Sequence, residues 1–429
     1  CPTRHGLTAM STIPVPACWQ TTAQAAVGAA APVYGLMIGF AGGLTNGFAV
    51  VIARFFGAGD ERGMKRSVAL TYLLSAGTAF VLTVASLIAL HPLMASLKTP
   101  PEIIGDTEKY MRVIMLFSAV TIAYNMFAGM MRALGNSKTP LYFLIVSTFV
   151  NIGLDFLFVG AFKMGVAGAA YATVISQGVS VALCIWYVVK KCRVLLFSRR
   201  ELTLDKPLLS DLATTGMSMG LMYAIVSVGS VILQGAVNSF GTSTITAHTA
   251  ARKIDDIFML PLGTIALASS TFASQNFGAG KMERVKKGIK YSIFIALGWS
   301  AFSVIVAVLF RRPMIRALTG TSDPAVIATA SKYIVWNISF FFVLSFLLVL
   351  RSSLQGVGRK LVPVTGSAVE FALKIVAAAV FAPKLGYFGI CISEPVIWIA
   401  CAAIVIADYM LFTRRIERRE LPHLERAAV

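Results

Sequence analysis

The sequence predicts an all-α polytopic membrane protein of about eleven transmembrane helices in two pseudo-symmetric lobes. Three observations predict it: an apolar composition, a series of helix-length hydrophobic runs, and a motif repeat about 221 residues apart.

Hydrophobic residues make up 57% of the 429 residues and charged residues only 13%. Soluble domains carry roughly 25% charged residues, so this chain lacks the polar surface that water demands. The mean hydropathy of +0.77 agrees. A formal charge of +19 raises nucleic acid as a partner. The basic residues, however, fall in short clusters between apolar runs, as membrane topology requires, and no nucleic-acid partner is expected. The six cysteines show no disulfide framework and no metal-ligand spacing. Cys184, Cys391 and Cys401 lie within apolar runs and read as small apolar residues.

A helix needs about 20 apolar residues to cross the hydrocarbon core. Runs of that kind fall at about 24–54, 67–90, 111–131, 139–162, 165–189, 213–240, 242–276, 291–310, 333–350, 361–382 and 387–412. Runs 24–54 and 242–276 exceed the need and should tilt, bend or extend beyond the bilayer. Pro261 and Pro395 lack an amide hydrogen to donate, and kinks are expected there. Assigning loops alternately to the two sides puts 25 Lys/Arg on one side and 10 on the other. The richer side should face the cytoplasm of a plasma-membrane protein, with the C-terminus inside.

Three motifs recur in register. ARFFGAGDERGMKRS at 53–67 returns as ASQNFGAGKMERVKKG at 273–288, RALGNSKTP at 132–140 as QGVGRKLVP at 355–363, and GVAGAAYATVISQ at 165–177 as GYFGICISEPVIW at 386–398. The offsets are 221, 223 and 221 residues. Equivalent elements face the same side, which makes the halves parallel repeats, with a substrate path expected between them. The domains follow: 1–22 as a separate N-terminal segment, 23–192 as an N-lobe of five helices, and 193–207 as a cytoplasmic linker. Residues 208–413 form a C-lobe of six helices, and 414–429 a basic tail. The partner of the span at 213–240 would overlap or precede residue 1, where CPTRHGLTAMSTIPVPACWQTT holds no spanning run and fits a signal peptide poorly. The first of twelve helices is therefore expected to be absent.

The chain resembles the multidrug and toxic compound extrusion (MATE) family, particularly its bacterial DinF-like branch. The resemblance rests on GLTNGFAVVIARFFGAGDERGMKRSV, MRALGNSKTPLYF, NIGLDFLFVGAFKMGVAGAAYATVISQ, AHTAARKIDDIFMLPLGT, SQNFGAGKMERVKKG, LQGVGRKLVP and ISEPVIW, from about Ala23 to about Arg415. It implies two six-helix lobes and export of organic cations or other amphipathic compounds against inward flow of H⁺ or Na⁺. It also implies a cation site at Asn151, Asp155 and Thr173, with Na⁺ as a possible occupant. The acid that the family carries on its first helix has no counterpart here.

The residues offer their own case for Asp155. An ionisable group within a span costs roughly 2.5–3.5 kcal/mol on insertion scales and tends to face the bundle interior. Asn151, four positions earlier, shares its helical face, so its carbonyl oxygen is placed to hold Na⁺ or to bond a protonated Asp155. A structural Asp paired with a neighbouring helix is the alternative. In the other half, Arg252 reaches Asp255 and Asp256 at helical spacings, which reads either as mutual neutralisation or as ion or substrate coupling. Glu370 and Lys374 are likewise four apart. Glu394 precedes Pro395, whose freed backbone groups are expected to help solvate it, and Asp408 is expected to reach water. Arg252, Asp255, Asp256, Glu370 and Glu394 form a candidate polar site. Met217, Met219 and Met222, with Phe340, Phe341 and Phe342, suit either a pocket for bulky cations or lipid and helix contacts. The small residues Ala26, Ala29, Ala30, Gly35, Gly39, Gly42 and Gly43 suggest close helix packing.

No HExxH, GxSxG or GxxxxGK[ST] pattern occurs, so neither an enzyme nor an ATP-driven pump is expected. A monomeric secondary transporter without cofactor, coupled to H⁺ or Na⁺, is the leading reading. A flippase for lipid-linked precursors is the runner-up, which Arg252, Lys253 and Lys374 would serve if they lined an anion cavity. A transport-inactive fragment is a further alternative.

Overall fold

The computed structural model describes residues 17–96, 101–197, 201–203 and 205–427. Of the segment expected to stand apart at 1–22, residues 1–16 lie outside the described residues. Helices dominate: α1 (Ala17–Ala58), α2 (Glu61–Ser96), α3 (Pro101–Leu116), α4 (Ser118–Ala133), α5 (Lys138–Asp155) and α6 (Gly165–Lys191) come first. Then follow α7 (Lys206–Asn238), α8 (Thr242–Gly278), α9 (Met282–Thr319), α10 (Pro324–Ser339), α11 (Phe341–Gly356), α12 (Leu361–Val376), α13 (Ala382–Leu385) and α14 (Tyr387–Ala427). Among the described residues nine helices are long and apolar enough to span a membrane, or eleven if the pairs α3–α4 and α10–α11 each count as one.

The chain divides into two compact units, His5–Ser227 and one built from Val228–Val429. The division falls within α7. In the first unit, core clusters join α1 to α4 and α6 through Ile52, Met126, Met130 and Val188, and α1 to α2 and α3 through Val33, Met94 and Met111. The second unit holds one continuous core in which Ile254, Ile289, Tyr333, Leu350 and Trp398 take part. Phe341 is buried in it, ring to ring with Trp398 at 6.0 Å, and so fills a helix contact rather than a pocket. Met219 and Met222 are buried as well, while Met217 and Phe342 are exposed. Close packing of α1 holds at Gly39 and Gly43 but not at Gly35, where nothing lies within 4 Å of an added Cβ. A Cβ on Gly43 would press on the Met219 carbonyl of α7, and one on Gly39 would touch Tyr223 and Ser227.

The repeat is written into the backbone. Gly59 and Gly280, each closing a GAG turn, both have φ +70, and Gly135 and Gly358 have φ +85 and +86. Gly165 and Gly386 both have φ +61. Left-handed backbone is cheap only for glycine, which is why these positions coincide with the sequence motifs. The GAG turns also share their hydrogen bonds: Gly59 N–H donates to the Phe56 carbonyl and Gly280 N–H to that of Phe277, at 3.2 and 3.0 Å. A π-helical turn follows α5 at Phe156–Ala161, and another follows α12 at Ala377–Phe381.

The helix breaks do not fall at Pro261 or Pro395. α8 continues through Pro261 and α14 through Pro395. The Trp299 indole donates to the Phe258 carbonyl at 2.9 Å, supporting α8 in the turn before Pro261. The sharp bends, 49° each, lie between α3 and α4 and between α10 and α11. Their corner residues, Phe117 (φ −102, ψ 19) and Phe340 (φ −94, ψ 7), sit near the bridge region, which interrupts the α ladder. They stand 223 residues apart, again the step of the repeat.

Candidate functional site

In the first unit, α5 and α6 are fastened by hydroxyls. Ser147 Oγ donates to the Ser176 carbonyl at 2.6 Å, and Ser180 Oγ to the Phe143 carbonyl at 3.1 Å. This seam fixes the face of α5 that carries Asn151 and Asp155. Asp155 is the last α-helical residue before the π-turn, a distortion that recurs at functional sites because it re-aims the side chains around it. Its Oδ1 is buried and accepts no hydrogen bond, and Asn151 Nδ2 is buried and donates none. No ion pair to Asp155 occurs among the described residues. Thr173 is committed to its own helix, its Oγ1 donating to the Ala169 carbonyl at 2.9 Å.

Sequence reasoning missed a chain of polar side chains that leads away from this carboxylate through Tyr110. Tyr110 of α3 lies within Coulombic range of both Asp155 and Tyr34 of α1. Tyr34 hydrogen-bonds Gln177 of α6, and Thr121 of α4 donates to Gln177 Oε1 at 2.5 Å. Uncharged Tyr, Thr and Gln within apolar runs give no signal that distinguishes them from ordinary packing residues.

The second unit is built differently. Arg252 Nη1 lies 3.9 Å from Asp255 and 3.8 Å from Glu394, and Nη2 lies 3.6 Å from Asp256. Lys374 Nζ lies 3.0 Å from Glu370 and 3.9 Å from Glu394, and Arg351 approaches Glu370 at 3.7 Å. The sequence-predicted residues Arg252, Asp255, Asp256, Glu370 and Glu394 therefore belong to one network, with Lys374 as the link. Two expectations are corrected. Glu394 is held by two cations rather than by backbone groups freed at Pro395, and Asp408 is buried against Arg359 rather than reaching water. Lys253 stays exposed. His248 and two tyrosines complete the surroundings: Arg252 Nη1 donates to Tyr333 Oη at 3.3 Å, and His248 Nδ1 lies 3.2 Å from Tyr387 Oη.

The two polar centres use equivalent positions. At the offset of 221, Tyr34 corresponds to Asp255 and Thr173 to Glu394, and at 223 Tyr110 corresponds to Tyr333. The same scaffold thus carries a carboxylate without an ion pair in one unit, among the described residues, and in the other a network of four carboxylates and three cations, in which both Asp255 oxygens are buried without a hydrogen bond.

Duplicated bundles of membrane-length helices, each with polar side chains buried in its interior, define a multi-pass membrane protein. The sequence matches the MatE family over residues 9–157 and 219–380, and the chain belongs to that family, the multidrug and toxic compound extrusion transporters. It is 27% identical over 376 residues to the probable multidrug resistance protein YpnP of Bacillus subtilis, covering 87% of this chain and 84% of that one. It is 31% identical over 280 residues to the probable multidrug resistance protein YoeA of the same organism, covering 64% and 60%. A solved multidrug resistance MATE family transporter of the MOP superfamily aligns with a TM-score of 0.85 at 22% identity, over 92% of this chain and 88% of that one.

Proposed function

We propose that the chain exports organic cations or other small amphipathic compounds across the plasma membrane by antiport with H⁺ or Na⁺, its C-terminus in the cytoplasm. One observation carries the reading: Asp155 is a carboxylate with a buried, unbonded oxygen and no cation beside it among the described residues. A bare carboxylate within a span is costly, and it is relieved by taking a proton or a metal cation. The orphaned amide of Asn151 lies one turn away on the same helix face. Asp155 therefore loads and unloads H⁺ or Na⁺ as access to it changes, and substrate export draws on that exchange. The names of YpnP and YoeA as probable multidrug resistance proteins support the substrate class. Of the three cations that the flippase alternative calls on, Arg252 and Lys374 lie against carboxylates and Lys253 alone is exposed, which favours the antiport reading.

Reconstituted vesicles loaded with a cationic dye test this reading under imposed H⁺ and Na⁺ gradients. Gradient-driven efflux is expected from the wild type and at least a tenfold loss from Asp155→Asn. Undiminished efflux in that variant would refute ion coupling at Asp155.

A further inference from the structure

α9 carries an apolar run at 291–310, about 30 Å of helix and so about one hydrocarbon thickness. Immediately beyond it stand Arg311, Arg312 and Arg316. They are on the side poor in Lys/Arg, so topology does not require them there.

Phe302, Ile305 and Leu309 are 51%, 58% and 68% exposed. With Arg312 and Arg316 they follow one another at alternating spacings of three and four, and therefore share one face of α9. That face is apolar for two turns and then cationic. Arg311, Arg312 and Arg316 line an open cleft of about 340 Å³, together with Ser322, Pro324 and Ser331. Ser331 Oγ is buried without a hydrogen-bond partner. None of the three arginines is ion-paired among the described residues. The acid nearest in sequence, Asp323, directs its Oδ1 to the Ala325 amide at 2.9 Å as the cap of α10.

We infer that this cleft binds the phosphate of an anionic phospholipid. Arginine forks match phosphate oxygens in pairs. The start of α10 adds a favourable field, although Asp323 already caps it, so the arginines carry the charge. An ion from water would need only the arginines. A lipid also needs a lane for its acyl chain at the right depth, and Phe302, Ile305 and Leu309 supply it. The site lies wholly within the second unit and is independent of Asp155.

The test uses the full-length protein in nanodiscs of equal phosphatidylglycerol and phosphatidylcholine, with retained lipid read by native mass spectrometry. The wild type should retain phosphatidylglycerol at least fivefold over phosphatidylcholine. The variant with Arg311→Gln, Arg312→Gln and Arg316→Gln should retain the two alike, and the three Arg→Lys replacements should keep only part of the preference, since lysine keeps the charge but not the fork. A control with Arg284→Gln, Lys287→Gln and Lys290→Gln, at the other end of α9, should behave as the wild type. An unchanged preference in the triple Gln variant, provided it is monodisperse, overturns the site. So does a preference lost equally in the control, which would make net charge the cause. In a second arm inorganic phosphate is added to delipidated protein. Protection from thermal unfolding that the triple Gln variant lacks, without any lipid preference in the first arm, would make the occupant a free anion and overturn the lipid assignment.

Discussion

Glu394 stands in the second unit where Thr173 stands in the first, each eight positions beyond a glycine with φ +61. The Thr173 hydroxyl turns back onto its own helix, whereas Glu394 bridges Arg252 and Lys374. Duplication kept the backbone and changed the chemistry on it. The first unit holds a carboxylate without an ion pair among the described residues, and the second holds carboxylates beside cations of its own.

Lys374 should therefore be structural. It is 1% exposed and lies against Glu370 and Glu394. Breaking a buried pair by removing one partner costs about 3–5 kcal/mol, because the other charge is left uncompensated. Lys374→Met should lower thermal stability in detergent strongly. Adding Glu370→Gln should recover part of the loss, since the stranded carboxylate goes with it. A double-mutant cycle reads the coupling, and strictly additive losses would contradict the network.

Gly59 and Gly280 should respond alike to alanine. Nothing lies within 4 Å of an added Cβ at either, so the cost is conformational and about 1–2 kcal/mol for a left-handed residue. Gly298, also open but within the α9 helix, should change sign: alanine there should be neutral or stabilising by about 0.5–1 kcal/mol. Thermal unfolding of the three single variants checks both the sign and the equality of the GAG pair.

These glycines also show what the sequence made legible. The recurring GAG, GVAG/GYFG and LGN/VGR motifs announced the repeat, and the left-handed turns that the structure shows at them explain why glycine stands there. The i to i+4 spacing of Glu370 and Lys374 announced their ion pair. The bends at Phe117 and Phe340 gave no warning, since neither residue is a proline or glycine. Glu394 could not be paired from the sequence either, because its partners lie on α8 and α12, far away along the chain. Tyr110 and Gln177 were invisible for the same reason.

Arg359 and Asp408 bind each other between the loop before α12 and the helix α14. Asp408 is buried but the Arg359 side chain is 31% exposed, so Asp408→Ala should destabilise by about 1.5–3 kcal/mol, the worth of the charged hydrogen bonds lost, with water relieving the freed guanidinium. Lysine at 359 should rescue only in part, because it cannot form the fork. Unfolding midpoints of Asp408→Ala, Arg359→Lys and Arg359→Ala order these effects, and equal midpoints for the two Arg359 variants would count against the fork.

Asn151 bears on which ion Asp155 takes. Its Nδ2 donates to nothing, so no bond fixes the amide in one orientation, and the carbonyl oxygen is free to turn toward a cation. Sodium requires oxygen ligands, whereas a proton requires only the carboxylate. Asn151→Ala should therefore raise the Na⁺ concentration for half-maximal efflux by about tenfold, the worth of roughly 1.4 kcal/mol. Efflux driven by a pH gradient alone should stay within about twofold, as Asp155 keeps its own protonation site. Dye efflux measured separately under the two gradients decides between the ions. A variant equally impaired under both would mean that Asn151 holds Asp155 in place rather than binding the ion.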